Sequence, residues 1–108
     1  MARLATKTKS VWGWNIHPGE ILHEEYMKPL GLSVYALAKE LKLTRPRLND
    51  IALERRAITA DSAVRLAKYF GTTAQFWMNM QSSYELCEEE NTNSKIVESI
   101  STRRSETA

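Results

Sequence analysis

A chain of 108 residues is long enough for one modest hydrophobic core and too short for two. Hydrophobic residues make up 43% and charged residues 26%, the balance of an ordinary soluble domain, and no apolar run approaches the ~20 residues that a membrane span requires. The net charge of +2 is too small to imply a polyanionic partner by itself, but it is unevenly spread. Positions 42–56 hold five cations (Lys42, Arg45, Arg47, Arg55, Arg56) against Asp50 and Glu54, whereas positions 85–108 hold six glutamates against three cations. One end of the molecule is therefore suited to face phosphates and the other is repelled by them, unless both are plain solvated helix faces.

The opening "MARLATKTKS" has basic residues but no apolar stretch behind them, so it does not read as a secretory signal. The single cysteine, Cys87, cannot form an internal disulfide, and a reducing, cytoplasmic setting is the expectation. Residues 1–16 are expected to form a flexible basic arm, in which Trp12 and Trp14 are too apolar to be left in water. They should dock on the domain or on a partner. The folded domain is expected over residues 17–90, beginning with a helix at "HPGEILHEEYMK". Pro18 suits its first position, Glu20 favours the positive end of its dipole, and Pro29 and Gly31 stop it.

Ser33 caps a second helix, where Val34, Leu37, Ala38 and Leu41 fall at i, i+3, i+4 and i+7 on one apolar stripe. Thr44 caps a third, with Pro46 harmlessly in its first turn and Leu48, Ile51 and Ala52 on the inward side. Thr59 begins a fourth, with Ala63, Leu66, Ala67 and Phe70 inward and Gly71 at its end. Thr73 begins a fifth, on which Phe76, Trp77, Met80, Tyr84 and Cys87 share a face. Residues 91–108 turn polar and are expected to be a disordered tail. No strand-like alternation is present, so the expected class is all-α.

The stretch "YALAKELKLTRPRLNDI" carries the most information. Two helices crossing at roughly 90–120° after a short turn need a small residue at the crossing and an apolar residue beneath the turn. Ala38 and Leu43 meet those needs. With Leu48 and Ile51 inward, the third helix turns Arg45, Arg47, Asn49 and Asp50 outward. Arginine takes guanine bidentately, asparagine takes adenine, and either holds a phosphate. Thr44 at the helix start offers a hydroxyl or its N–H to a phosphate. Lys42 stands where such turns commonly hold glycine, at a cost of about 1 kcal/mol for a left-handed conformation. Asp50 suits a phosphate-facing surface only if it accepts from a cytosine amine or fixes an arginine. The same pattern also fits a plain helical hairpin buried in a bundle.

An enzyme is the rival class. "HPGEILHEE" brings His17, Glu20, His23 and Glu24 close in sequence, but the histidines are six apart, on different sides of a helix, and the H-E-x-x-H spacing of a zinc site is missing. His17 reads as a cap and His23 as a surface residue. Cys87 reads as a small core residue. No glycine-rich phosphate loop and no recognisable nucleophile are present. No catalytic, metal or cofactor site is expected.

Taken in order, "HPGEILHEEYMKPLGLS", "LAKELKL" and "RRAITADSAVRLAKYFGTTAQFWMNMQ" resemble the HigA/VapI family of antitoxins, over residues 17–81. The resemblance implies a five-helix, phage-repressor-like helix-turn-helix domain with a recognition helix at Thr44–Leu53. It also implies a homodimeric DNA-binding antitoxin that represses its own operon and neutralises a HigB-type toxin, a ribosome-dependent mRNA endonuclease. In that setting Lys42, Arg55 and Arg56 would hold phosphates of a double-stranded operator. Arg45, Arg47 and Asn49 would read bases. Glu20, Glu24 and Glu25, or the run Glu88–Glu90, would face the basic toxin. Phe76, Trp77, Tyr84 and Leu86 would serve in the dimer seam or the core. A free-standing repressor without a toxin partner is the alternative, and a module whose helix pair binds protein is a third reading. Ala52, Leu53 and Glu54 replace a short glycine-bearing loop, from which a longer third helix is expected.

Overall fold

The computed structural model describes residues 9–10 and 13–103. Trp12, with residues 1–8 and 11 of the expected arm and 104–108 of the expected tail, lies outside the described residues. All five expected helices are present. They are α1 (Pro18–Ile21), which runs directly into a wider π-helical stretch (Leu22–Met27), α2 (Val34–Leu41), α3 (Arg45–Ala52), α4 (Ala60–Phe70) and α5 (Ala74–Thr92). Two small elements flank them: an antiparallel pair of two-residue strands, β1 (Lys9–Ser10) and β2 (Gly13–Trp14), and a short helix α6 (Ser94–Glu98). Helical structure thus continues past Glu90, although no residue of α6 is buried.

The caps follow from local chemistry. His17, Ser33, Thr44, Thr59 and Thr73 are extended, and each side chain accepts a hydrogen bond from a backbone N–H in the first turn. At α4 the arrangement is reciprocal, with Ser62 Oγ accepting from the Thr59 N–H (2.9 Å). The inward stripes of α2, α3 and α4 meet Leu22, Met27, Ile58 and Trp77 in one core. Trp77 is fully buried, with its indole N–H donated to Thr72 Oγ1 (2.7 Å) and its ring against Tyr26 and Phe76 (centroids 5.1 and 5.2 Å).

Two anchors set the height of α3. Leu48 and Ile51 are 0% exposed, so the helix is seated on the core by two adjacent turns. From the other side α1 approaches so closely that a Cβ on Gly19 would stand 1.9 Å from the Ile51 carbonyl oxygen. The segment before α1 docks on the second half of α5. The ring of His17 meets Tyr84 edge-on at 4.8 Å, and the Asn15 amide donates to Glu88.

The third helix is not longer than the glycine-loop pattern implies. It ends at Ala52, and Glu54 takes the left-handed conformation that a glycine would supply (φ 66°). The Glu54 N–H bonds the Ile51 carbonyl (3.0 Å) and the Arg55 N–H reaches back to the Asp50 carbonyl (2.7 Å), closing the helix end. The following Ile58 is drawn into the core, and its N–H is satisfied by the buried Gln81 Oε1 (2.8 Å).

Candidate nucleic-acid interface

Lys42 ends α2 in the left-handed region (φ 57°, ψ 43°), the conformation its position in the turn demanded. The Leu43 N–H bonds the Ala38 carbonyl (3.0 Å), and the Leu43 side chain is half-buried against the core. The strain at Lys42 is therefore real and is outweighed by packing around it. Lys42→Gly relieves the Cβ–carbonyl clash but gives the unfolded chain more freedom. A net gain of about 0.5 kcal/mol in urea unfolding is expected.

The outer surface of α3 is built residue by residue. Thr44 Oγ1 accepts from the Arg47 N–H (3.4 Å) and the Thr44 carbonyl from the Leu48 N–H (3.1 Å); with Pro46 carrying no N–H, the Arg45 N–H is the backbone donor of the first turn that the helix itself does not use. Arg45 is exposed, and its guanidinium lies over the ring of Tyr35 from α2 (5.1 Å). Asn49 is half-buried in a shallow groove that it shares with Val34, Tyr35, Arg45 and Asp50. Asp50 fixes arginines: one oxygen accepts from Arg55 (3.0 Å) and the other lies 3.9 Å from Arg56. Lys42, Arg55 and Arg56 are exposed beside this ridge.

Arg47 departs from the expected outward pose. Its guanidinium is turned back onto α4, with Nη1 2.9 Å from Asp61 Oδ2 and Nη2 donating to Thr59 Oγ1 (3.1 Å). The second Asp61 oxygen accepts from Arg65 Nε (2.8 Å), while Arg65 Nη1 donates to the carbonyls of Leu41 and Lys42 (2.8 and 3.2 Å). Arg65 thereby satisfies carbonyls that the end of α2 leaves open. Hydrogen bonds from Arg65 and then Arg47 hold the Asp61 carboxyl below its ordinary value of 3.8. A depressed carboxyl favours the fold above its unfolded-state value. This network is therefore intact at neutral pH and is lost only as pH falls below 3.8.

Tyr35, Asp61 and Arg65 were not singled out from sequence. The available clues were an aromatic residue off the apolar stripe of α2 and an i,i+4 acid–base pair in α4. The other nominated residues separate by burial. Trp77 belongs to the core, Phe76 and Tyr84 sit at its edge, and Leu86 is 58% exposed. Glu20 is 2% exposed and cannot present itself to a partner, which corrects its place among the toxin-facing acids. It is one of three consecutive buried residues, Pro18, Gly19 and Glu20, by which α1 packs into the fold. Glu24 is engaged by His23 (2.9 Å) and Lys28 (3.4 Å), whereas Glu25 and Glu88–Glu90 are exposed. Among the described residues no group of three or more His, Cys, Asp or Glu is placed to hold a metal, and no helix is long and apolar enough to cross a membrane.

Comparison with known proteins agrees with this geometry. The helix-turn-helix family matches residues 24–77. Virulence-associated protein I of Dichelobacter nodosus is 61% identical over 71 residues, a match that spans 66% of this chain and 66% of that protein. The solved structure of Pseudomonas aeruginosa antitoxin HigA with the higBA promoter superposes with a TM-score of 0.80 at 46% identity, over 83% of this chain and 99% of that one. Antitoxin GraA in complex with its operator gives a TM-score of 0.78 at 40% identity, over 83% of this chain and 92% of that one. The protein belongs to the helix-turn-helix family, among relatives that include the HigA antitoxins and virulence-associated protein I.

Proposed function

We propose that this chain is the antitoxin of a HigBA-type toxin–antitoxin system. It acts in the cytoplasm as a homodimer that represses its own operon and neutralises a HigB-type mRNA-endonuclease toxin. The observation that carries the reading is the seating of α3. Leu48 and Ile51 are driven fully into the core, so Thr44 and Arg45 are exposed on the outer ridge of α3 and Asn49 lines the shallow groove beside it. Relatives of the same fold were solved on a promoter or an operator, which supports the same use of that ridge here.

In this reading two copies place α3 in successive major grooves about one helical turn, ~34–36 Å, apart. Arg45 and Asn49 read base edges from the start and middle of α3. Tyr35 supports the Arg45 guanidinium from below and so reduces the rotamer freedom lost on binding. Lys42, Arg55 and Arg56 supply salt-dependent phosphate contacts, and Asp50 keeps the last two in place. Arg45→Ala is expected to weaken operator binding by about 1–3 kcal/mol and to blur preference at one base pair, read by competition with single-base variants of the site. An equal loss on random duplex would reduce Arg45 to a phosphate contact.

The toxin half of the proposal rests on family membership and on exposed acids at Glu25 and Glu88–Glu90, which suit a basic RNA-binding partner. Co-expression with the adjacent small reading frame, followed by purification and sizing, is expected to yield a tight heteromeric complex. Retardation of upstream DNA without such a complex would leave a free-standing repressor. Failure to retard DNA at low salt would leave neither.

A further inference from the structure

The recognition helix carries two arginines, held in opposite ways. Arg45 rests on an aromatic face, the ring of Tyr35. Arg47 is held by a carboxylate at 2.9 Å and a hydroxyl at 3.1 Å, both at the start of α4. We propose that Asp61 sets sequence discrimination by holding the Arg47 guanidinium off the outer face of α3 and releasing it only to a DNA acceptor able to compete with a carboxylate. This rests on the DNA-binding reading above.

Three features make Asp61 fit for the task. First, it lies on a neighbouring helix, so Arg47 reaches it by side-chain rotation alone, without any change in α3. Second, its two oxygens have separate partners. Oδ2 faces Arg47, while Oδ1 accepts from Arg65 Nε at 2.8 Å. When Arg47 leaves, the carboxylate keeps a cation, so release does not strand a bare anion beside DNA. Third, Arg65 is itself fixed by the carbonyls of Leu41 and Lys42, which holds Asp61 in register with the turn.

The consequence is a threshold. A random duplex offers phosphates, which attract Arg47 about as a solvated carboxylate does and give no net reason to move. A correctly placed guanine offers a planar two-acceptor edge that matches the guanidinium fork. Non-specific binding is therefore made without Arg47, and specific binding with it. Asp61 is a positioning residue in this scheme and touches no base.

The test is a double-mutant cycle on the full-length chain. The partners are Asp61→Asn and Arg47→Gln, and the probes are a duplex selected by the wild-type chain from a randomised pool and a scrambled control of the same composition. Asp61→Asn is expected to tighten binding to the scrambled duplex about eightfold at 0.1 M salt, the equivalent of one more phosphate contact, and to steepen its salt dependence accordingly. The selected duplex should gain less than half of that factor, so the ratio between the two duplexes falls. In the Arg47→Gln background the same substitution should leave the ratio unchanged. Persistence of the gain without Arg47 would show that Asp61 acts through its own charge and would overturn the proposal, as would an unchanged ratio in the single variant. Should Asp61→Asn fold poorly, Asp61→Ser keeps a polar group in the first turn of α4 and serves the same cycle. A wild-type chain that retards neither duplex overturns the DNA reading and this inference together; a wild-type preference with no coupling overturns this inference alone.

Discussion

Gly19→Ala is expected to destabilise the protein by about 3 kcal/mol, the upper end of what overpacking one methyl group ordinarily costs. On helix propensity alone the change would stabilise by roughly 0.5–1 kcal/mol, so the steric term must overcome that gain as well. It does so because the added carbon would sit 1.9 Å from the Ile51 carbonyl oxygen, and neither side can yield cheaply. The Ile51 carbonyl accepts from the Glu54 N–H at 3.0 Å, within the left-handed turn that ends α3. Displacing it loosens that turn and the buried Ile58 beyond it. On the other side, the Gly19 N–H is donated to the His17 ring at 2.8 Å, so retreat of α1 breaks its cap. Urea unfolding followed by tryptophan fluorescence reads the loss. The same displacement shifts the base of α3, so DNA affinity should fall even at temperatures where the variant is folded. A loss below about 1 kcal/mol would mean that α1 and α3 slide apart more freely than their packing implies.

That contact also marks where the sequence stopped being informative. The stripe Leu37–Ala38–Leu41 and the pair Leu48–Ile51 are periodic, and periodicity within one helix is a local property. The caps at Ser33, Thr44, Thr59 and Thr73 were legible for the same reason. Gly19 against Ile51 joins segments more than thirty positions apart, and nothing in either segment names the other. Arg47 failed similarly. Its place one turn before Ile51, at the flank of the buried side of α3, was readable, but the carboxylate that turns it back stands on α4, where Asp61 reads only as an ordinary first-turn acid. Glu54 was misjudged for a different reason. Non-glycine residues seldom adopt positive φ, so a sequence without glycine argued for continued helix. Ile58 burial and the Gln81 hydrogen bond supplied what was needed to hold the strained turn. The pairing of Asp50 with arginine, by contrast, was among the outcomes its neighbours allowed.

The second large effect separates residues that the sequence left together. Trp77→Ala is expected to cost about 3–5 kcal/mol, as for other buried aromatic truncations. The indole is fully buried, touches the Tyr26 and Phe76 rings, and donates to Thr72; its loss opens a cavity and leaves a half-buried hydroxyl without its donor. Domains of this size are ordinarily stable by about 5–15 kcal/mol, so the variant should be at or near the edge of folding, with its melting temperature lowered by more than about 12 °C. Leu86→Ala removes a side chain that is 58% exposed and should change the stability of the isolated chain by less than about 0.5 kcal/mol. If Leu86 lies in the seam of the proposed homodimer, its loss appears instead as a melting-temperature deficit that is largest at high protein concentration and vanishes on dilution, because only the dimer then loses contacts. Equal and concentration-independent losses at the two positions would mean that Leu86 is covered within a single chain. The dimer seam would then have to be sought away from this face of α5.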